Sequence, residues 1–238
     1  MSKSKGNVVS PDKYIEEYGS DVFRMYLMFG FSYTEGGPWN DDGIKSIAKF
    51  LDRVERIAVK ASEIKTAKVG AMNSAEKELD YVKNFAIKSI SRDVEAFSFN
   101  TSIARLMEYV NALQKYDSDA GEKNEAFYRE CVLDLIKMLA PFTPHFAEEL
   151  WEIMGEKTSV HQESYPEVNE AALVKSEVEY AVQVNSKIKA KMMIAENLSD
   201  EEIQALVATH PEVAPLLEGK SVKKCIIVKG RLVNLIVG

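Results

Sequence analysis

The sequence predicts a mainly α protein: an antiparallel helical bundle followed by a small α+β domain. Apolar residues recur at the helical period from about residue 41 to 155, and the period shifts towards two after Tyr165-Pro166. Turn signals cut both stretches into short segments, each with one apolar face that must be buried against another. At 238 residues the chain is long enough for two cores. The expected division is an opening loop with short helices over 1–40, a helical domain over 41–157, a linker over 158–174 and an α+β domain over 175–238.

Ser10-Pro11 supplies an N-cap and a first helical position, opening a short helix that stops at Gly19. A second helix starts at Ser20-Asp21 and carries Val22, Met25, Tyr26 and Phe29 on one face. Gly36-Gly37-Pro38 makes a turn, and Asn40 caps a helix with acids in its first turn, where they suit the helix dipole. Ile44, Ile47, Ala48, Leu51, Val54 and Ala58 form the first long stripe, and Leu79, Val82, Ala86, Ile90, Val94 and Phe97 the second. Asn100 is the expected cap of a helix bearing Ile103, Met107, Val110 and Leu113, and Phe127, Cys131, Leu135, Met138 and Leu139 mark the next. Pro141 ends that helix, and Thr143-Pro144 restarts the chain as cap and first position before Phe146, Leu150 and Met154. Short connections near residue 70 and over 117–123 fit antiparallel neighbours.

In the last third, Val178, Tyr180, Val182 and Val184 alternate with polar or small residues, and Ile188, Ala190 and Met192 alternate with Lys187, Lys189 and Lys191. A turn at Asn185-Ser186 makes the two a hairpin. Ser199-Asp200-Glu201-Glu202 starts a helix through Ile203, Leu206 and Val207, His210-Pro211 breaks it, and two strands divided by Gly230 close the chain.

Hydrophobic residues make up 46% and charged residues 28%, the balance of a water-soluble fold. No apolar run approaches the roughly 20 residues that span a bilayer, so no membrane partner is expected. Cys131 and Cys225 have no second Cys or His at metal-ligand spacing, which predicts buried thiols, no metal site and a cytoplasmic setting. The net charge of −7 excludes nucleic-acid binding by the whole surface, but its distribution is uneven, with 0, −8 and +1 over residues 1–60, 61–170 and 171–238. Basic surface must therefore be local. The opening Ser2-Lys3-Ser4-Lys5-Gly6 places point charges and hydroxyl donors on a flexible backbone, which suits a polyanion. Lys187, Lys189 and Lys191 recur at the strand period, so they are expected on one face, where Lys223, Lys224, Lys229 and Arg231 join them as phosphate contacts. Arg105 and Lys115 are the candidates on the helical region.

Met1 to Val9, then Pro11, then Tyr18-Gly19-Ser20-Asp21-Val22-Phe23-Arg24 resemble the KMSKS loop of class I aminoacyl-tRNA synthetases and the stem-contact helices after it. Phe99 to Met107 and Ala140 to Trp151 are similar to the helical anticodon-binding domain of bacterial leucyl-tRNA synthetases, and Val182 to Asn185, Lys187 to Lys191, Val222 to Lys224 and Gly230 to Asn234 to that family's small C-terminal domain. Two departures stand out: the family's lysine before the methionine is absent, and Ser186 stands where the family usually has Gly. None of the three histidines sits in the family's His-Ile-Gly-His motif, so the chain looks like the carboxy-terminal portion of such an enzyme.

The resemblance implies that in the intact enzyme ATP with Mg2+ activates leucine, which is then transferred to tRNA(Leu). Lys3 would stabilise charge on the departing pyrophosphate, with Ser2, Ser4 and Lys5 as further donors. The chain by itself is expected to need no cofactor, to be inactive and monomeric, and to bind tRNA(Leu). Isoleucyl, valyl and methionyl enzymes share the loop; against the first two, the helix at Asn100-Thr101-Ser102-Ile103-Ala104 lacks the aromatic-rich segment they usually carry, and the tail has neither a cysteine zinc site nor a long coiled coil. A non-catalytic helical interaction module leaves the opening loop and the last domain unexplained.

Overall fold

The computed structural model describes residues 3–6, 8–64, 72–119, 123–174, 177–195, 198–217, 219–220 and 222–238. It divides into two compact units, Met1–Leu173 and Val174–Gly238.

In the first unit α1 (Pro11–Tyr18) and α2 (Ser20–Phe29) precede the long helices α3 (Asp41–Ser62), α4 (Ser74–Glu95), α5 (Phe99–Asp119) and α6 (Glu125–Leu139), and α7 (Pro144–Ile153) closes the series. The predicted stripes of α3 and α6 lie in the core, Ile44, Ile47, Leu51, Val54 and Ala58 from one and Phe127, Cys131, Leu135, Met138 and Leu139 from the other. Such side chains bury about 1.5–3 kcal/mol of transfer free energy each, which holds helices whose own propensities are modest. Gly43 permits the close approach of α3 to α2, because a Cβ there would lie 2.6 Å from the Tyr26 ring, whose hydroxyl accepts from the Asn40 N–H at 2.9 Å.

Several local expectations are corrected. Phe97 does not extend the α4 stripe: it lies beyond the helix end at φ +55 and is 58% exposed, because Ser98 N–H bonds to Asp93 O and Phe97 N–H to Val94 O, a Schellman closure that usually takes glycine. Asn100 is not the cap of α5, which starts one residue earlier at Phe99. Thr143 does not cap α7, since its hydroxyl donates back to Leu139 O. Asp21 of α2 does so instead, accepting from Phe146 N–H at 2.7 Å. The connection expected over 117–123 is helical as far as Asp119, and the one near residue 70 lies outside the described residues.

The stretch expected as a linker over 158–174 is held on the bundle. Val160 is buried with its N–H on Glu148 Oε2, Asn169 N–H donates to Asn84 Oδ1, and Lys88 pairs with Glu170. The unit boundary falls after Leu173, so brief protease treatment should cut near that boundary before it cuts within 158–173, as mass spectrometry of the first fragments would read. Early cuts around Val160 would contradict this.

In the second unit β1 (Glu177–Val184) and β2 (Lys187–Ala195) form the predicted hairpin, followed by α8 (Asp200–Ala208), the single turn α9 (Ala214–Leu217), β3 (Val222–Val228) and β4 (Leu232–Val237). The sheet order is β2-β1-β4-β3, with β1 and β4 parallel and the other pairs antiparallel. Ile203, Val207 and Val213 cover one face of the sheet, packing on Tyr180, Val182, Val233 and Leu235, whereas Leu206 is exposed. Asn185 and Ser186 both have positive φ, the geometry of a tight hairpin turn, and the nearly buried Asn234 amide braces it by accepting from Ser186 N–H at 3.1 Å.

Candidate nucleic-acid interface

At the opening loop, Lys3–Lys5 form one 3-10 turn followed by Gly6 at φ +63, a conformation glycine takes without strain. Ser4 and Lys5 are exposed; Ser2 lies outside the described residues, as does the side chain of Lys3. The following helices are fastened to the bundle. Asp21 is buried, with Oδ1 3.0 Å from His145 Nδ1 and Oδ2 capping α7, and Arg24 donates to Pro141 O at 3.1 Å. Trp39 packs on Tyr14 and Tyr26, and Asp41 accepts from Trp39 Nε1 at 3.0 Å and from the Tyr14 hydroxyl at 2.5 Å. Those two donors hold the Asp41 carboxyl below the ordinary aspartate range.

The two candidates on the helical unit both face acids. Arg105 pairs with Glu108 and lies 5.0 Å over the Phe85 ring, and Lys115 bonds Glu78 at 3.3 Å. Exposed pairs of this kind are weak enough to exchange partners. Sequence reading missed the longest basic line of the unit. Lys45, Lys49, Arg53, Arg56 and Lys60 follow one another on α3 at steps of four, four, three and four, which puts them on one face opposite the core stripe. The signal was present in that spacing, but only the apolar residues of α3 entered the reading.

In the second unit the three strand lysines do not share a face. The β1–β2 register shifts between Val182 and Gln183, so that Val182 pairs with Ala190, Gln183 with Ile188, and Lys189 is the extra residue of a β-bulge. One inserted residue exchanges the faces of everything beyond it. Lys191 therefore lies on the open face, where it bonds Glu179 at 2.9 Å, while Lys187 pairs with the buried Val184 at the edge of the core face. Ile188, expected inside, is 63% exposed. Lys224 also lies on the open face, Lys223 sits at a second register shift, and Lys229 and Arg231 occupy the exposed β3–β4 turn, with Lys229 3.8 Å from Asp200.

The bulge gives the uncovered face an unusual composition. Cross-strand pairing aligns Lys191, Ala181, Leu232 and Val228 in one row and Ile188, Gln183, Asn234 and Ile226 in the next. Met193, at 57% exposure, extends the same face. Exposed apolar side chains thus sit on the two edge strands of this face, Ile188 and Met193 on β2 and Ile226 and Val228 on β3, of a sheet whose strand ends and turns carry lysines. Among the described residues no cluster of acids, histidines and cysteines could hold a metal ion, and no helix is long and apolar enough to cross a membrane. Cys131 is buried, which pushes its thiol up to about 12, and Cys225 is half-buried.

The chain is similar over its whole length to leucine–tRNA ligases. That of Clostridium kluyveri is 56% identical over 241 residues, covering 100% of this chain and 30% of its own length, and that of Caldanaerobacter subterraneus subsp. tengcongensis is 52% identical over 242 residues, covering 100% and 29%. The chain therefore spans about 30% of the length of the curated relatives it matches. Among solved structures, the Agrobacterium radiobacter K84 agnB2 LeuRS-tRNA-LeuAMS ternary complex superposes with a TM-score of 0.76 at 32% identity, covering 100% of this chain and 31% of that one. A Mycobacterium tuberculosis methionyl-tRNA synthetase shares the fold over 74% of this chain and 38% of its own, with a TM-score of 0.58 at 19% identity. The family model described as the anticodon-binding domain of tRNA ligase matches residues 76–205, from the first turn of α4 into α8. With more than half of its residues inside that match, the chain belongs to the family of tRNA-ligase anticodon-binding domains.

Proposed function

We propose that the chain is the carboxy-terminal, tRNA-binding part of a cytoplasmic leucine–tRNA ligase, which as a whole activates leucine with ATP and transfers it to tRNA(Leu). The observation that carries this reading is 56% identity to such a ligase with no part of the chain left unmatched. In this reading residues 1–40 are the KMSKS loop and stem-contact helices, the bundle lies along the RNA, and the last domain makes a separate contact. Lys3, Ser2, Ser4 and Lys5 act on the phosphates of ATP, with Mg2+, in the full-length protein.

The chemistry of RNA binding follows from the surfaces. A bundle in a chain of net charge −7 meets RNA through local cations, and the basic line of α3 supplies five of them on one helix face. On the sheet, Lys191 and Lys224 supply charge, and the exposed side chains of Ile188 and Met193 at one edge and Ile226 at the other offer separate apolar contacts for a nucleobase. The chain is expected to bind a leucine tRNA transcript in 50 mM salt, with affinity falling linearly on log-log axes as salt rises. Fluorescence anisotropy measures it. Absence of any binding at low salt, or binding without a salt dependence, would refute the reading.

A further inference from the structure

Between α3 and α5 a groove of about 480 Å3 opens along the C-terminal half of α3. Among the described residues Arg53, Arg56, Lys60 and Lys115 line it, against a single carboxylate, Asp117. An adjoining hollow of about 450 Å3 shares Lys60, Asp117 and Tyr128 and adds Lys123, Glu63 and Glu125, so among the described residues its two lysines face three carboxylates. An anion therefore belongs in the first groove and not in the second. Lys60 is already placed for one: Asp117 holds its ammonium at 2.6 Å and that of Lys123 at 2.7 Å, which meets part of the ordering cost before any ligand arrives.

Tyr128 of α6 is the second observation. It is 3% exposed and lines both hollows, and among the described residues its buried hydroxyl has no hydrogen-bond partner. A buried polar group without a partner costs free energy, which a ligand oxygen accepting from it would recover. Burial first, and then the charge of Asp117, push the phenol pKa up, so at neutral pH the hydroxyl is a donor.

We propose that this groove is a phosphate-binding site, in which Arg56 and Lys60 bind phosphate oxygens and the Tyr128 hydroxyl donates to one of them, and that its occupant is a phosphodiester of an RNA backbone. The occupant rests on the tRNA-binding reading; the site itself does not.

The test compares the whole chain with Lys60→Ala, Tyr128→Phe and, as a control, Lys88→Ala, an exposed lysine paired with Glu170. Binding of a leucine tRNA transcript is measured across salt concentrations. Lys60→Ala should lower the log-log salt slope by about 0.7–0.9. Tyr128→Phe removes no charge, so it should leave the slope unchanged while weakening binding about tenfold. Its urea midpoint without RNA should be unchanged or higher, because an unpartnered hydroxyl is gone. Lys88→Ala should match the wild type. If the wild type binds tRNA and both groove variants bind it equally well with the same slope, the site is overturned and the function reading stands. If the wild type does not bind tRNA, titration with inorganic phosphate followed by NMR decides. Shifts localised at Lys60, Ser118 and Tyr128 would keep the site as one for free phosphate and remove the RNA occupant, and their absence would overturn it.

Discussion

Replacing Lys83 with Ala is expected to destabilise the helical unit by about 3–5 kcal/mol at pH 7. Lys83 of α4 has 8% of its side chain exposed and reaches Glu130 at 2.9 Å, Asp80 at 3.3 Å and Asp134 at 3.7 Å. Its ammonium also lies 5.3 Å over the Phe127 ring. Burial works against the ammonium, but the carboxylates of Glu130 and Asp134 outweigh it and hold the lysine pKa above its ordinary value. Cys131, beside them, is a neutral thiol at this pH and adds no charge. Without Lys83, Asp80 and Asp134 face each other across a cavity with most of their water removed. Asp134 already has a raised pKa, chiefly from burial, with Lys83 pulling it down. A carboxyl group whose folded pKa exceeds its unfolded one binds a proton more readily when folded, so its contribution to stability falls as pH rises through that window. Loss of Lys83 raises the folded pKa further, and the deficit of Lys83→Ala should therefore shrink from pH 7 to pH 5. Urea denaturation at the two pH values measures it, with Lys83→Met combined with Asp134→Asn as a variant that should recover much of the loss. A deficit below about 1 kcal/mol, or one equal at both pH values, would show that the cluster is not coupled as its geometry requires.

The layout of the fold was legible because amphipathic period is a local property. Ile44 to Ala58 and Phe127 to Leu139 had to share a core, and the change of period after Tyr165-Pro166 marked a different kind of structure. What escaped was set by partners distant in sequence. Asp21 caps a helix 125 residues away, which no cap motif near Thr143 reveals. The bulge at Lys189 follows from pairing with β1, and it turned an inferred line of lysines into one open-face lysine, one edge lysine and one bulge residue. Phe97 reads as another stripe position until the hydrogen bonds of Ser98 close the helix beneath it. The basic line on α3 is the reverse case, since its spacing was visible throughout and was masked by the near-zero charge balance of residues 1–60. The Lys83 cluster lay between the two: its residues recur at helical spacing on α4 and α6, but nothing local says that the two faces meet.

Replacing Lys3 with Ala in the full-length protein to which we assign this chain is expected to slow leucine activation about 10²–10³-fold, equivalent to about 3–4 kcal/mol in the barrier. When the leucine carboxylate attacks the α-phosphate of ATP, the bond to pyrophosphate breaks and negative charge grows on the departing group. In the proposed reading, Lys3, between Ser2 and Ser4 and ahead of a glycine in the left-handed region, would bring a point charge to that group without the fixed fork of an arginine. The charge matters most where the developing charge is greatest, in the transition state, so kcat for pyrophosphate exchange should fall while KM for leucine changes little. Lys5, two residues on and exposed, is expected to meet the same polyanion from farther along the turn, so Lys5→Ala should cost less. The bundle is unaffected by either change, so the salt dependence of tRNA binding should be that of the wild type. A rise in KM for leucine in proportion to the loss of rate would mean that Lys3 contributes uniform substrate binding and not transition-state stabilisation. A variant with unchanged exchange would remove Lys3 from the reaction.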